Sequence, residues 1–168
     1  MAAQLDEVSI RPATAADADD IARVDIASWR SAYSEILPGN YLASLDPTER
    51  AELWRRSVEN TSMLVAETRR GAVGFTSVGP SRDEDAEDGD LEIYAIYLHP
   101  AAWGKGVARD LMRTVLADVP GNASVTLWIL QENERAQHFY RRHGFAHDGT
   151  ERIDDIGGKP MTQLRYRR

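Results

Sequence analysis

The sequence predicts a single mixed α/β domain in which one sheet of about seven strands is combined with four helices. Three observations carry that expectation. Two runs, "LEIYAIYLH" at 91–99 and "ASVTLWIL" at 123–130, are almost continuously apolar, as strands buried on both faces tend to be. Each is followed by a segment of helical pattern, the second of which stops at Gly144, a residue suited to a helix C-terminus. The chain of 168 residues is 42% hydrophobic, enough to bury one core and to fill one domain over residues 1–168.

The elements follow in order. "EVSIRPAT" alternates and reads as a strand ending near Pro12. Thr14 and Asp17 supply a helix start, and Ile21, Val24 and Trp29 form the apolar stripe of a helix expected to reach about Leu37 and stop at "LPGN". Asp46 followed by Pro47 marks a second helix, with proline at its first position, carrying Leu53 and Trp54 and fading near Asn60. "SMLVAET" and "AVGFTSVG" flank the turn at 69–71 as a hairpin, and an acidic loop leads to the apolar strand at 91–99. A helix from about Lys105 to Asp118, the strand at 123–130 and a helix from Asn133 to His143 come next. Two final strands, "GFAHDGTERI" and "PMTQLRYR", enclose Gly157 and Gly158.

Composition excludes several functions. The chain has no cysteine, so disulfides, thiolate metal sites and a cysteine nucleophile are absent. The formal net charge of −7 disfavours nucleic acid, whose phosphates require a basic surface. No apolar run approaches the ~20 residues of a membrane helix, and "MAAQLDEVSIRP" lacks the basic-then-apolar pattern of an export signal. A cytoplasmic protein without membrane partners is therefore expected. Six carboxylates fall within the nine residues 82–90; they read as a solvated loop, or more sharply as an attractant for a cationic amine. His143 and His147 have a metal-like spacing, but Gly144 breaks the helix between them, and no metal is expected.

The stretch "HPAAWGKGVARDL", 99–111, places two glycines and a lysine where a helix begins. The first amides of a helix have no internal partner and carry partial positive charge, which suits an anion, most often a phosphate. Gly104 and Gly106 permit close backbone approach and positive φ, and Lys105 adds charge, so this turn has the makings of a pyrophosphate cradle. It is neither a Walker loop nor a dinucleotide fingerprint, since the required lysine–hydroxyl pair and third glycine are lacking. By itself, a glycine pair is equally a turn that packs a helix onto a sheet.

Together with "ENERAQHFYRRHGF", 132–145, this stretch resembles the GNAT superfamily of acyl-CoA-dependent N-acetyltransferases. The family pattern Gln/Arg-x-x-Gly-x-Gly/Ala reads Trp103-Gly104-Lys105-Gly106-Val107-Ala108, with tryptophan at the usually polar first position. The second signature reads Asn133, Ala136, Phe139, Tyr140, Gly144 and Phe145. The resemblance implies a single-domain GNAT fold, acetyl-CoA as cosubstrate without metal, and a cosubstrate site made by Trp103 to Arg109, Asn133, Tyr140 and the backbone of Ile96, Tyr97 and Leu98. In the family that strand carries a bulge and splays from its neighbour.

The resemblance also distributes roles. Tyr140 is placed near the thioester sulfur as the acid for the leaving thiolate; alternatively it is a core aromatic beside Phe139, from which helical geometry should turn it away. Glu92 is the expected base, directly or through water, or else a solvated strand-end residue. Asn133 is expected to cap its helix and contact the pantetheine arm, although capping alone would account for it. Trp29, Tyr33 and Tyr94 are expected to line the acceptor pocket, although each also reads as an ordinary core aromatic. The expected activity is direct acetyl transfer to a small-molecule primary amine, polyamine-, amino-sugar- or antibiotic-like. Protein N-terminal or lysine acetylation and a non-catalytic CoA-binding module are the alternatives, and a homodimer is compatible with the sequence.

Overall fold

The computed structural model describes residues 7–168. Strand β1 (Ser9–Pro12) leads through a 3-10 turn (Ala15–Asp17) into helix α1 (Ala18–Ala32), followed by α2 (Gly39–Ser44) and α3 (Pro47–Asn60). Strands β2 (Ser62–Thr68), β3 (Gly71–Pro80) and β4 (Leu91–Leu98) precede a second 3-10 turn (Pro100–Ala102) and α4 (Val107–Ala117). Strand β5 (Val125–Leu130), α5 (Glu134–Arg142), β6 (Ala146–Ile156) and β7 (Lys159–Arg167) complete the chain. The strands form one sheet in the order β1-β2-β3-β4-β5-β7-β6, antiparallel except where β4 runs parallel to β5.

Strand alternation sends neighbouring residues to opposite faces. Val65 and Phe75 join Ile21, Val24 and Trp54 beneath α1 and α3, whereas Ala66 packs with Val107 and Leu111 of α4 on the other face. Met112 and Val115 of α4 extend that second core with Val125, Leu127 and Ile129 of β5, and Phe139 and Tyr140 of α5 pack against it. A bulge interrupts β4: Ser77 and Val78 of β3 face Ala95 and Ile93, leaving Tyr94 as the extra residue. Because an inserted residue reverses the alternation, Ile93 packs with the α4–α5 core while Ala95 and Tyr97 lie against the α1–α3 core.

Local chemistry explains the helix starts. Asp46 accepts a 2.9 Å hydrogen bond from the Thr48 amide with Pro47 at the first helical position. The Asp17 carboxylate accepts from the Thr14 amide at 2.8 Å. Asp25 of α1 is fully buried and joins α1 to α3: one oxygen accepts from Arg50 at 3.1 Å and from the Trp54 indole at 2.9 Å. Burial nevertheless pushes its carboxyl above the ordinary value.

Two expectations are corrected. Helix α1 ends at Ala32 rather than near Leu37, and α2 is a fifth helix that the sequence pattern did not predict. The amides of Ile36 and Leu37 both turn back to the Tyr33 carbonyl, and Tyr33 and Leu37 are buried with Leu42, Leu45, Ile156 and Met161. Tertiary packing against the β6–β7 hairpin thus replaces continuation of the helix.

The acidic loop is also more than a solvated connection. Arg165 of β7 is 4% exposed and forms ion pairs with Asp83, Asp85 and Asp148 at 3.3, 2.7 and 2.7 Å, and the Trp128 indole donates to Asp83 at 3.0 Å. Hydrogen bonding from Arg165 holds the Asp85 carboxyl below its ordinary value.

Removing the buried Arg165 guanidinium leaves the largely buried Asp83 and Asp148 carboxylates uncompensated, while Asp85 stays exposed to water. Arg165→Ala is expected to lower unfolding stability by about 3 kcal/mol in urea titration. The Asp85 contribution is complete above the ordinary value of 3.8 and is lost as the pH falls through the depressed native value. The variant should therefore lose less stability on acidification below that value than the unsubstituted protein; parallel acid titrations would contradict this.

Candidate active site

Strands β4 and β5 pair at only two positions, Leu91 with Val125 and Glu92 with Thr126. Past Glu92 they part, and a cleft of about 960 Å³ opens between them. On its other edge β4 stays paired with β3 through Tyr97 and Leu98, and the His99 amide donates to the Val73 carbonyl at 2.8 Å. Backbone groups alternate in direction along a strand, so the amides of Ile96 and Leu98 face away from β3, toward the cleft. The Leu98 carbonyl accepts from the Trp103 indole at 3.2 Å. The bulge at Tyr94 accompanies this splay, as bulges beside sites often do.

One end of the cleft meets the glycine turn. Gly104 and Gly106 have φ of 74° and 83°, the left-handed region in which side chains are strained. Gly106 is the N-cap of α4, and the Asp110 backbone amide donates back to its carbonyl at 3.1 Å. The amides of Val107, Ala108 and Arg109 therefore precede the helix's own ladder. A Cβ at Gly104 would meet nothing within 4 Å, so the space above the turn is open. Trp103, Gly104, Gly106, Val107, Ala108 and Arg109 line the cleft; Lys105 is exposed and does not. Free amides, positive helix terminus and open space fit a diphosphate.

Three phenols share the cleft wall. Tyr33, Tyr97 and Tyr140 all line it. Burial pushes the Tyr140 hydroxyl well above its ordinary value, with the nearby Tyr33 adding to the effect. Tyr97 is raised for the same leading reason, with Tyr33, Asp25 and Tyr140 contributing, and burial also raises Tyr33. All three therefore hold their protons at neutral pH. Asn133 accepts from the Ala136 amide at 3.2 Å, which caps α5, and donates to the Tyr33 hydroxyl at 3.4 Å. Phe139 and Tyr140 do not face apart: both line the cleft and both pack on the β4–β5 core. Their rings meet edge to face at 5.3 Å, because a helical step of ~100° leaves neighbours within one broad stripe.

The other expected residues are placed unevenly. Tyr94 lines the cleft, donates its hydroxyl to the Pro80 carbonyl and lies under the Arg82 guanidinium at 4.0 Å. Trp29 stands one layer back, its ring 4.9 Å from Tyr33 and 6.3 Å from Tyr97. Glu92 is 3% exposed at the apex of the splay and is absent from the cleft wall. Its carboxylate accepts from the Arg82 amide at 3.1 Å and guanidinium at 2.9 Å. The sequence reading missed Ser28, Ser31, Trp128, Arg135, His138 and Arg142, all on the wall. The last three recur at helical spacing on α5, which was the available signal. His143 packs on Phe139 and His147 stacks on Tyr166, so the two histidines have different surroundings.

The geometry agrees with comparisons to known proteins. The profile of the Acetyltransferase (GNAT) family matches residues 26–145, from α1 through the cradle to the end of α5. The chain is 38% identical over 130 residues to the uncharacterized N-acetyltransferase YuaI of Bacillus subtilis, covering 75% of this chain and 73% of that one. It is 26% identical over 129 residues to the peptidyl-lysine N-acetyltransferase YjaB of Salmonella typhimurium, covering 68% and 87%. The fold matches the PaiA N-acetyltransferase of Thermoplasma acidophilum, solved with coenzyme A, at a TM-score of 0.72, 17% identity and coverage of 94% and 98%. The chain belongs to the GNAT family and is an N-acetyltransferase.

Gly106→Val places a β-branched residue at φ 83° and a Cβ 2.9 Å from the Arg109 guanidinium. Calorimetry is expected to show loss of coenzyme A binding in a folded variant; retained affinity would remove the cradle from the site.

Proposed function

We propose that this protein transfers the acetyl group of acetyl-CoA directly to a primary amine of a small molecule, within a ternary complex. The observation that carries the substrate class is the make-up of the cleft wall, where Tyr33, Tyr94, Tyr97, Trp128 and Tyr140 stand with the hydroxyls of Ser28 and Ser31. The neighbouring segments are tied down: Lys159 of the β6–β7 hairpin donates to the Ile36 carbonyl at 3.0 Å, and the acidic loop is fastened to Trp128 and Arg165. An aromatic-lined cleft, with the Asp83 carboxylate accepting from the wall residue Trp128, suits a compact cation.

The chain's own groups supply the chemistry. The cradle amides and α4 dipole hold the diphosphate. The amides of Ile96 and Leu98, on the free edge of β4, bond the pantetheine arm and stabilise negative charge developing on the acyl oxygen. Tyr140, protonated and facing the cleft, donates its proton to the departing thiolate. Glu92 accepts the amine proton through water at the splay apex, since its carboxylate is set back behind the wall. Acetyl-CoA supplies the activated acyl group.

The second reading, acetylation of a protein lysine, is favoured by the named activity of YjaB. Thiol release from acetyl-CoA, measured against polyamines, amino sugars, aminoglycosides and a lysine peptide, separates the two. Acceleration by a small amine, and not by the peptide, is expected; the reverse would overturn the small-molecule assignment.

Two variants test the roles. Tyr140→Phe should lower kcat by about a hundredfold with little change in coenzyme A affinity; equal losses would mark Tyr140 as structural. Glu92→Gln should lower kcat with little change in coenzyme A affinity, and an unchanged kcat would assign the proton to another group.

A further inference from the structure

The family pattern places glutamine or arginine where this chain has Trp103, and the structure shows what occupies the lost polar position. The Trp103 side chain is fixed from behind, its indole N–H bonded to the Leu98 carbonyl at 3.2 Å. Its ring face carries the guanidinium of Arg135, from the first turn of α5, at 4.2 Å. Both residues line the cleft beside Gly104 and Gly106. Arg135 has no carboxylate partner among the described residues, so its positive charge is held by an aromatic face and remains available to an anion.

We infer that Arg135, seated on Trp103, is the cation that grips the cosubstrate's diphosphate, replacing from α5 the polar side chain that position 103 lacks. The inference rests on acetyl-CoA being the donor. Trp103 is then a positioning residue: the cation–π contact orients a long side chain, and the indole bond sets the ring's plane. The surrounding field is consistent. Arg135, His138 and Arg142 recur at i, i+3 and i+7, so they share one face of α5, and all three line the cleft opposite Arg109 of α4. His143, one residue past that helix, is held below its ordinary value by burial and by Arg113, Arg168 and Arg109. In a chain of net charge −7, this concentration of cations at one lip matches a ligand carrying several phosphate charges.

The arrangement predicts where charge matters rather than which residue supplies it. Arg135 is exposed, so Arg135→Gln should fold, which its thermal midpoint checks. By calorimetry, R135Q is expected to weaken coenzyme A binding by about tenfold or more, the loss typical of one charge-assisted hydrogen bond. Dephospho-coenzyme A, which keeps the diphosphate but lacks the 3′-phosphate, should show the same factor. Pantetheine, which has no phosphate, should be indifferent. The double variant W103R/R135Q should recover most of the lost affinity by returning the charge to position 103.

Unchanged affinity in R135Q would overturn the assignment, as would failure of W103R to rescue it. A loss that disappears with dephospho-coenzyme A would overturn the diphosphate contact and move it to the 3′-phosphate. Absence of coenzyme A binding by the unsubstituted protein would instead sink the donor assignment beneath the inference.

Discussion

The site depends on one interruption of the sheet: β4 and β5 exchange backbone hydrogen bonds for two residue pairs and then separate. A parallel pair that continued past Glu92 and Thr126 would satisfy the β4 edge internally and leave no cleft. Because it stops, β4 keeps its partner on the β3 side and presents a free edge on the other. Unpaired backbone in a protein interior is costly, so the edge is a standing demand for a ligand that carries its own amides, as a pantetheine arm does.

The bulge at Tyr94 and the splay are two parts of one device. The inserted residue lets Ile93 pack on the α4–α5 core while Ala95 and Tyr97 pack on the α1–α3 core. That reversal carries Tyr97 toward Tyr33 and Tyr140 around the cleft. At one end of β4 the chain runs through Trp103 and the glycine turn into α4, which points its terminus at the cleft. At the other, Glu92 and Tyr94 are held by Arg82, itself part of the loop that Arg165 fastens from β7. The two ends of β4 are therefore braced by different contacts around a common strand.

The parts legible in the sequence are those written in local chemistry. Asp46-Pro47, Asn133 and Gly106 mark helix starts through their own side chains or lack of one, and element order follows from runs that alternate or stay apolar. The glycine turn and Tyr140 stood out because two short motifs lie at a characteristic separation, and the structure brings both to one cleft. What escaped depends on residues far apart in the chain. The end of α1 at Ala32 is set by burial of Leu37 against the β6–β7 hairpin, and α2 is too short for its periodicity to register. The acidic loop looked solvated because its partner, Arg165, lies some 80 positions on. Trp103 looked like a departure because Arg135, whose guanidinium lies 4.2 Å over its ring, belongs to a helix some 30 positions on. Glu92 reads from the sequence as a base, direct or through water, or as a solvated strand-end residue; its burial and its bond to Arg82 behind the cleft wall depend on a loop residue that local pattern does not pair with it.

Amide hydrogen exchange along β4 tests the central claim most directly. Without ligand, the amides of Ile96 and Leu98 should exchange quickly, while those of Tyr97 and His99, on the β3 side, exchange slowly. Saturating coenzyme A should slow Ile96 and Leu98 markedly and leave Tyr97 and His99 unchanged. Slow exchange at Ile96 and Leu98 before ligand is added, or no protection after, would contradict a free β4 edge that receives the cosubstrate.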